Sequence, residues 1–338
     1  MLTLGIETSC DETSVAVVRG GRQVLANVIL SQAIHGKYGG VVPELASRAH
    51  LKTIIPIYRQ ALSEAQVTLG DIDLVAATMG PGLVGPLLVG LTFAKALAWV
   101  AGLPWVAVNH IEGHIAANLL QHPDLGMPHL TLVVSGGHTM LVLVQEFGEY
   151  EILGQTKDDA AGEAFDKVGK LLGLGYPGGA ELDRLAQSGD ADYVHFPRAV
   201  MKQLGYQFSY SGLKTAVVLH IKKLSSQDLQ KHRADIAASF QEAAVAVLVE
   251  KTMRAAAATD VKDVTLSGGV AANSRLRELL RRRLRETGRR LFYPTLQLCT
   301  DNAAMIAAAG YLRYRKEGAS EMVINAEPYL PLVPVQPK

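Results

Sequence analysis

The period of hydrophobic and polar positions changes along the chain and predicts an α/β protein. Short apolar runs of strand length, such as LTLGIE at 2–7, are bounded by polar or glycine-containing turns. Longer segments, at 50–65 and 233–258, carry apolar residues at the spacing of a helix. A last helix is predicted at 301–315, with Asp301 at or near its N-cap.

One strand plan occurs twice, which indicates two duplicated lobes. Residues 2–19 are predicted to form strand, turn and strand, and residues 129–145 repeat that order. A chain of 338 residues is also long for a single compact core. We therefore expect an N-terminal lobe at 1–128, completed by the C-terminal helix and tail at 302–338, a second lobe at 129–301, and a ligand cleft between them.

The segment 82–102 is apolar enough to suggest a membrane span. Pro86 and Lys95 interrupt it, and several glycines dilute it. A helix buried against a sheet or in a subunit interface explains it better, so we expect no membrane association.

The charge balance and the cysteine content limit the binding partners and the cellular compartment that we expect. The 33 Lys and Arg residues nearly balance the 32 Asp and Glu residues, so any nucleic-acid contact must be local. Cys10 and Cys299 are far apart in sequence and form no disulfide or metal framework, which fits a reducing cytosol. The first residues lack the basic and apolar regions of a secretory signal, so we expect a cytoplasmic protein.

Glycine turns after apolar strands indicate a nucleotide or phosphate site. Ser135-Gly136-Gly137 and Ser267-Gly268-Gly269 each follow such a strand, and a glycine turn lets backbone N–H groups approach phosphate closely. A further turn, GYPGG, occurs at 175–179, and Asn273 stands early in the helix predicted after the second turn. The alternative is a set of ordinary tight turns, and the chain contains neither a P-loop nor a G-x-G-x-x-G fingerprint.

The stretch NHIEGH places two histidines four residues apart. On a helix His110 and His114 share a face, so both imidazoles can bind one metal ion, although a purely structural pair would have the same spacing. Zinc proteases place a glutamate beside a histidine, whereas Glu112 lies midway between them and should point away from the metal face.

A series of motifs in this order resembles the bacterial TsaD (Gcp) family of tRNA threonylcarbamoyladenosine synthases. The motifs extend from Gly5 to about Ala309 and are GIETSCDET, YGGVVPELASR, GPGLVG, HIEGH, VSGGHT, DDAAGEAFDKVGKLLGLGYPGG, SGLKT, SGGVAAN and CTDNAAMIA. The resemblance implies an α/β fold of the actin/sugar-kinase/Hsp70 type, with two duplicated lobes and a nucleotide between them.

The same resemblance implies the reaction. A threonylcarbamoyl group is transferred from threonylcarbamoyl-AMP to N6 of the adenosine at tRNA position 37, 3′ of the anticodon, in tRNAs that read codons beginning with A, and AMP is released. This is acyl transfer without a covalent intermediate, in which a developing oxyanion and a departing phosphate need hydrogen-bond donors or a cation. No Ser-His-Asp or Cys-His pattern in the chain demands a covalent nucleophile.

The family's functional residues are carried over position by position. The implied metal ligands are His110, His114 and Asp301, with Fe(II) the family's usual ion, although the ligand types suit Zn(II) or Mn(II) equally. Asp11 and Glu12 are candidates to orient or deprotonate the attacking amine. The implied substrate and nucleotide contacts are Val133, Val134, Ser135, Gly136, Gly137, Asp166, Gly179, Asp183 and Asn273.

Partners follow from the resemblance as well. Besides tRNA and threonylcarbamoyl-AMP, it implies a TsaB-like paralogue, a TsaE-like ATPase and a TsaC-like synthase that supplies the adenylate. The segments 50–62 and 82–102 are candidates for partner-facing helices. The arginine-rich helix predicted at 275–290 is a candidate for phosphate contact or a solvated helix face, and Lys214 for anion binding or a surface position.

Two other functions compete with this interpretation. A metallopeptidase depends on the H-x-x-x-H spacing alone and predicts no nucleotide binding. A non-catalytic nucleotide-binding scaffold predicts that the metal ligands are missing, whereas this chain has all three.

Overall fold

The computed structural model describes residues 1–198 and 205–333 and divides into two compact units. Unit 1 comprises residues 1–125 and 294–338, and unit 2 comprises residues 126–293. The segment 294–301, which the sequence assigns to the second lobe, lies with unit 1. The last five residues of the predicted tail, 334–338, lie outside the described residues.

The described residues form alternating strands and helices. The strands are β1 (Leu2–Glu7), β2 (Glu12–Arg19), β3 (Gln23–Ser31), β4 (Leu74–Gly80), β5 (Trp105–Asn109), β6 (His129–Val134), β7 (Thr139–Glu146), β8 (Glu149–Gln155), β9 (Asp263–Ser267) and β10 (Arg290–Phe292). The helices are α1 (Pro43–Ala65), α2 (Val84–Ala101), α3 (His110–Gln121), α4 (Ala161–Leu171), α5 (Gly179–Ala186), α6 (Ser211–Ile221), α7 (Ser226–Lys231), α8 (Arg233–Ala258), α9 (Ser274–Glu286), α10 (Leu296–Cys299) and α11 (Ala303–Glu317). Short 3₁₀ turns occupy Ala33–Lys37, Leu69–Asp71 and Gly269–Ala272.

Both units contain a five-stranded mixed sheet with the same connectivity. Unit 1 has the order β3-β2-β1-β4-β5, and unit 2 has the order β10-β9-β6-β7-β8, which is the same plan in reverse. In each unit the first three strands pair antiparallel, and the first strand also pairs in parallel with the fourth. The duplicated α/β fold expected from the sequence is confirmed.

Helix α11 packs directly against the sheet of unit 1. No side chain separates its backbone from that of β1 at Gly5. A Cβ added to Gly5 would lie 2.8 Å from the backbone nitrogen of Ala307, so only glycine permits this approach. The N-terminal turn of α11 is also bound to the sheet, because Ala303 N donates to Ser14 Oγ at 2.9 Å and Ala304 N donates to Asn27 Oδ1 at 3.3 Å. These contacts fix the position of Asp301, which lies just before α11.

Helix α2 is the one described helix that is long and apolar enough, by length and composition, to cross a membrane. One face, including Leu87, Leu91 and Ala94, is buried in unit 1, where α2 packs against α1 and β4. Its other face leaves Leu88 at 41% and Val100 at 83% exposure. The buried helix expected from the sequence therefore retains an uncovered apolar side.

We predict that Gly5→Ala destabilises the protein by about 1–3 kcal/mol, the usual cost of overpacking a core. The added methyl group would push α11 away from β1. Urea unfolding would measure the change. Gly40→Ala is the matched control, because a Cβ at Gly40 meets no atom within 4 Å. Equal stability of the two variants would contradict the close packing of α11.

Candidate functional site

The two histidines of the HIEGH stretch begin a buried helix in unit 1. Helix α3 starts at His110 directly after β5, and Asn109 caps it because its Oδ1 accepts a hydrogen bond from Ile111 N at 2.9 Å. His110 and His114 are 5% and 0% exposed, with ring centroids 4.8 Å apart. As the spacing predicts, both rings lie on one face of the helix.

The carboxylate of Asp301 lies against both imidazoles. Its Oδ1 is 3.4 Å from His110 Nε2 and 3.3 Å from His114 Nε2. The N-cap of α11 is Asn302, whose Oδ1 accepts from Met305 N at 3.0 Å, so the cap lies one residue after Asp301. Since Asn302 performs the capping, the Asp301 carboxylate is available to face the histidines.

These three residues form a possible metal site. Their ligand atoms all lie within 4.8 Å of one another. In the described part of the chain neither ring nitrogen of His114 has a hydrogen-bond partner, although the ring is fully buried. Buried ring nitrogens that lack a well-formed hydrogen bond are costly, and a cation between the three side chains would satisfy Nε2, which now has only the Asp301 carboxylate at 3.3 Å. The residues present therefore fit a divalent metal.

The electrostatics also favour a cation. Burial opposes charge on His110, but the carboxylates of Asp301 and Glu7 outweigh burial and raise the pKa of His110 well above its usual value. Burial likewise opposes charge on Asp301, but His110 and His114 hold the pKa of this carboxyl well below its usual range. The site therefore attracts positive charge, and metal binding would displace the proton from His110.

Glu7 is a functional residue that the sequence reasoning missed. It is fully buried at the end of β1, and its Oε2 accepts from His110 Nδ1 at 3.2 Å and from Thr78 Oγ1 at 2.5 Å. Burial raises the pKa of Glu7, but the adjacent His110 gives a net lowering. Because the carboxylate holds the proton on Nδ1, the Nε2 atom is left to bind a metal. The available signal was an acidic residue ending the apolar run LTLGIE.

Glu112 does not belong to this site. Its carboxylate is buried and accepts from Arg313 Nε on α11 at 2.5 Å, so it points away from the histidine face as predicted. The glutamate therefore lacks the position of a peptidase's general base.

In unit 1, Asp11 is the last residue of the turn after β1, and Glu12 is the first residue of β2. Glu12 Oε1 accepts from Ser31 Oγ at 3.3 Å. Burial, with the nearby charges of Asp301 and Asp11, raises the pKa of Glu12 to about 9. His50 supports the turn from α1, since its Nε2 donates to the Cys10 carbonyl oxygen at 3.0 Å.

In unit 2 the predicted contacts at 133–137 present backbone rather than side chains. Val133 and Val134 end β6 with fully buried side chains. In the turn that follows, Ser135 Oγ accepts from His138 N at 3.1 Å, and a Cβ at Gly162 would strike the Ser135 carbonyl. Gly136 and Gly137 have open space at their Cβ positions, so this part of the turn is accessible to a ligand.

Asp166 and Gly179 lie together at the Tyr-Pro-Gly-Gly turn. Asp166 Oδ1 accepts hydrogen bonds from Gly178 N at 2.9 Å and from Gly179 N at 3.0 Å. The carboxylate therefore holds the turn and the first residue of α5 in place.

Asp183 and Asn273 lie together at the start of α9. Asn273 is the N-cap itself, one residue before the helix, because its Oδ1 accepts from Leu276 N at 2.9 Å. Its Nδ2 donates to Asp183 Oδ1 at 3.2 Å and to Gln241 Oε1 at 2.7 Å. Asp183 also accepts from Ser274 Oγ at 2.8 Å, so both residues have structural duties that the sequence did not reveal.

A pocket of about 290 Å³ lies beside this capped helix start in unit 2. Its lining combines small residues with amide, hydroxyl and charged groups: Ala186, Gln187, Gly189, Ala191, Ala238, Gln241, Glu242, Ser274, Arg275 and Glu278. Such a mixture suits a small polar ligand with a flat apolar part.

The cationic side chains that were candidates for phosphate or anion binding have partners within unit 2. Lys214 forms an ion pair with Asp159, so it is partnered within unit 2. Arg275 pairs with Glu242 at 2.8 Å, and Arg277 stacks on the Tyr293 ring at 4.2 Å. The arginine-rich helix is thus partly neutralised by its own unit, while Arg282 and other side chains on its outer face stay exposed.

Sequence comparisons find a family model and close relatives that match most of this chain. The family model described as TsaD, tRNA N6-adenosine threonylcarbamoyltransferase, matches residues 23–308. Relatives with that description include one from Caldicellulosiruptor saccharolyticus, 52% identical over 98% of this chain and 99% of its own length. One from Syntrophus aciditrophicus is 54% identical over 98% of each chain.

Solved structures share the fold at low sequence identity. HypF from T. kodakarensis matches 94% of this chain and 48% of its own, with a TM-score of 0.63 and 16% identity. Component A of (R)-2-hydroxyglutaryl-CoA dehydratase from Acidaminococcus fermentans matches 94% of this chain and 98% of its own, with a TM-score of 0.57 and 15% identity. These likenesses agree with two lobes of the actin/sugar-kinase/Hsp70 type.

Proposed function

The chain belongs to the TsaD family of tRNA N6-adenosine threonylcarbamoyltransferases, and we infer that it is a transferase that modifies tRNA. It transfers a threonylcarbamoyl group to N6 of an adenosine. The donor proposed here is threonylcarbamoyl-AMP, the acceptor is the adenosine at position 37, and AMP is the leaving group. The relatives match this chain over nearly their full length.

The observation that carries the site assignment is the buried cluster of His110, His114 and Asp301 with Glu7 behind it. We propose that these three side chains hold one divalent ion, Fe(II) by resemblance, with Zn(II) and Mn(II) chemically acceptable. Such an ion supplies a positive charge that neutralises and orients substrate oxygen atoms.

The remaining chemistry is assigned to the protein's own groups. Asp11 and Glu12 orient the adenosine amine and accept its proton during attack on the carbamoyl carbon. Burial and, after it, the charge of Asp301 raise the pKa of Glu12, and a cation would offset the second of these causes. In unit 2, the N–H groups of Gly136 and Gly137 bind the phosphate that departs.

The rival functions are not favoured. A peptidase needs a general base beside the metal, and Glu112 is instead paired with Arg313. A scaffold without activity has no need for a buried histidine pair with the Glu7 carboxylate behind His110.

Reconstitution tests the enzyme and its metal together. tRNA, threonine, bicarbonate and ATP would be incubated with this chain, the TsaB-like paralogue, the TsaE-like ATPase and the TsaC-like synthase. Mass spectrometry of digested tRNA would measure threonylcarbamoyladenosine. We expect product with the wild type, and on the order of a 100-fold loss or more with His110→Ala/His114→Ala or after chelation, because several kcal/mol of charge stabilisation disappear.

The matched control is His122→Ala, which changes the histidine at the C-cap of the same helix. Full activity of the double variant would show that His110 and His114 have only a structural role. Absence of product with folded wild type and competent partners would contradict the transferase. Product that persists when the TsaB-like, TsaE-like or TsaC-like protein is omitted would remove that partner from the scheme.

We propose that the adenine nucleotide binds in unit 2, with its base in the pocket beside Asp183 and Asn273. Ala191→Trp should fill this pocket and weaken AMP binding about tenfold or more, a change of at least ~1.4 kcal/mol in binding free energy. Isothermal titration calorimetry would measure it. Ala257→Trp, on an exposed position of α8, is the control. Equal affinity of the two variants would place the base elsewhere.

We propose that the TsaB-like paralogue docks on the uncovered apolar side of α1 and α2. The helices approach closely where Gly85 meets Ser47, and Leu51 and Leu88 lie within one turn of that contact at 65% and 41% exposure. Exposed apolar side chains on adjoining helices are typical of a protein interface.

Leu51→Asp/Leu88→Asp should abolish co-elution of this chain with the TsaB-like paralogue, because docking would bury two charges. Size-exclusion chromatography of the soluble cell fraction would measure it, with Leu219→Asp in unit 2 as the control at an exposed leucine. Co-elution that survives the double change would contradict this surface. Recovery of the complex with membranes would contradict the cytoplasmic location that we propose.

A further inference from the structure

The C-terminal residues 319–331, here called the strap, lie along unit 1 without forming a helix or strand. From Ser320 to Leu330 partly buried and exposed residues alternate, and Met322, Ile324 and Ala326 pack against the core of unit 1. The strap is therefore an integral part of the unit's packing.

Hydrogen bonds attach the strap to successive elements of unit 1. Ser320 N donates to the Trp105 carbonyl at 2.8 Å, and Lys95 Nζ of α2 donates to the Ile324 carbonyl at 2.8 Å. Farther along, Glu327 N donates to the Met79 carbonyl at 2.8 Å at the end of β4. The end of the strap is thus brought to the edge of the sheet where α3 begins.

Asn109 links the strap to the metal helix through both ends of its side-chain amide. Its Nδ2 donates to the Pro331 carbonyl at 3.1 Å, while its Oδ1 caps α3 at Ile111 N. The side chain is nearly buried, at 6% exposure. A displacement of the strap at Pro331 would therefore act on the residue directly before His110.

A second route leads from the strap to the same imidazole. Gly82 N donates to the Pro328 carbonyl at 3.1 Å, and the next residue, Leu83, donates its N–H to the Ser9 carbonyl at 2.8 Å. Ser9 Oγ in turn lies 3.2 Å from His110 Nδ1. Both series of described contacts lead to His110, and neither includes His114.

We propose that Asn109 is a positioning residue through which the strap sets the orientation of His110 toward the metal ion. The strap's role rests on the metal site proposed above. This role explains why Asn109 also donates a hydrogen bond from Nδ2 to Pro331, since capping α3 uses only Oδ1. It also explains why a segment far away in sequence is attached at the start of the metal helix.

The test is a titration of metal-free protein with Co(II) alone, following its visible absorption band, beside thermal unfolding without metal. Asn109→Ser keeps a good N-cap acceptor but removes the donor to Pro331. Gly80→Ala alters no residue of α3 and displaces the strap, because its Cβ would lie 2.9 Å from the Glu327 carbonyl carbon. Gly80 also pairs with Asn109 across β4 and β5, so thermal unfolding must show that this pairing survives. Asn325→Ser makes the same substitution in the strap, at an exposed residue that bonds only its neighbour Ala326 among the described contacts.

We expect Asn109→Ser and Gly80→Ala each to weaken Co(II) binding about tenfold, the lower end for outer-shell partners, and to alter the band. Asn325→Ser should bind as the wild type does. Wild-type affinity and band in both variants would overturn the role of the strap. Weakened binding seen only where the metal-free fold is lost would also overturn it. A wild type that binds no Co(II) would overturn the metal site itself, whereas the tRNA assay decides the transferase independently.

Discussion

The contact between α11 and the sheet of unit 1 is the constraint on which the proposed metal site depends. Asp301 precedes α11, and α11 can occupy its place only because Gly5 has no side chain and because Ser14 and Asn27 accept its first N–H groups. His110 and His114 come from a separate helix that is fixed by its own cap at Asn109. The three proposed ligands therefore meet between two helices that have separate caps and are joined by the ion pair of Glu112 with Arg313.

The sequence predicted the elements whose signal is local. The spacing of His110 and His114 fixes a shared helix face, and the repeated strand-turn-strand plan indicates duplicated sheets, which the structure confirms. Glu7 could not be assigned in this way, because its partner is 103 residues away and a lone acid at the end of a strand has many explanations. The same limit applies to Asn109, whose bond to Pro331 joins residues 222 positions apart.

Unit 2 illustrates a different limit. The glycine turns were visible because glycine marks a backbone conformation or a close approach, as at Gly268 with a φ of +90°. The polar residues carried over from the family were visible too, but their local duties were not. Asp166 holds a turn, and Asp183 with Asn273 caps α9, so a ligand at these residues would share donors and acceptors that the fold already uses. A substitution there changes the scaffold and the binding surface together.

The common strand plan carries different side chains at equivalent positions of the two units. The junction of β1 and β2 carries Asp11 in the turn and Glu12 at the start of β2, whereas the equivalent turn between β6 and β7 carries Ser135, Gly136 and Gly137. Carboxylates at the first junction attract cations, and glycines at the second have open space at their Cβ positions, where a ligand can approach the backbone. Duplication of one scaffold has thus placed different chemical groups at equivalent strand junctions of the two units.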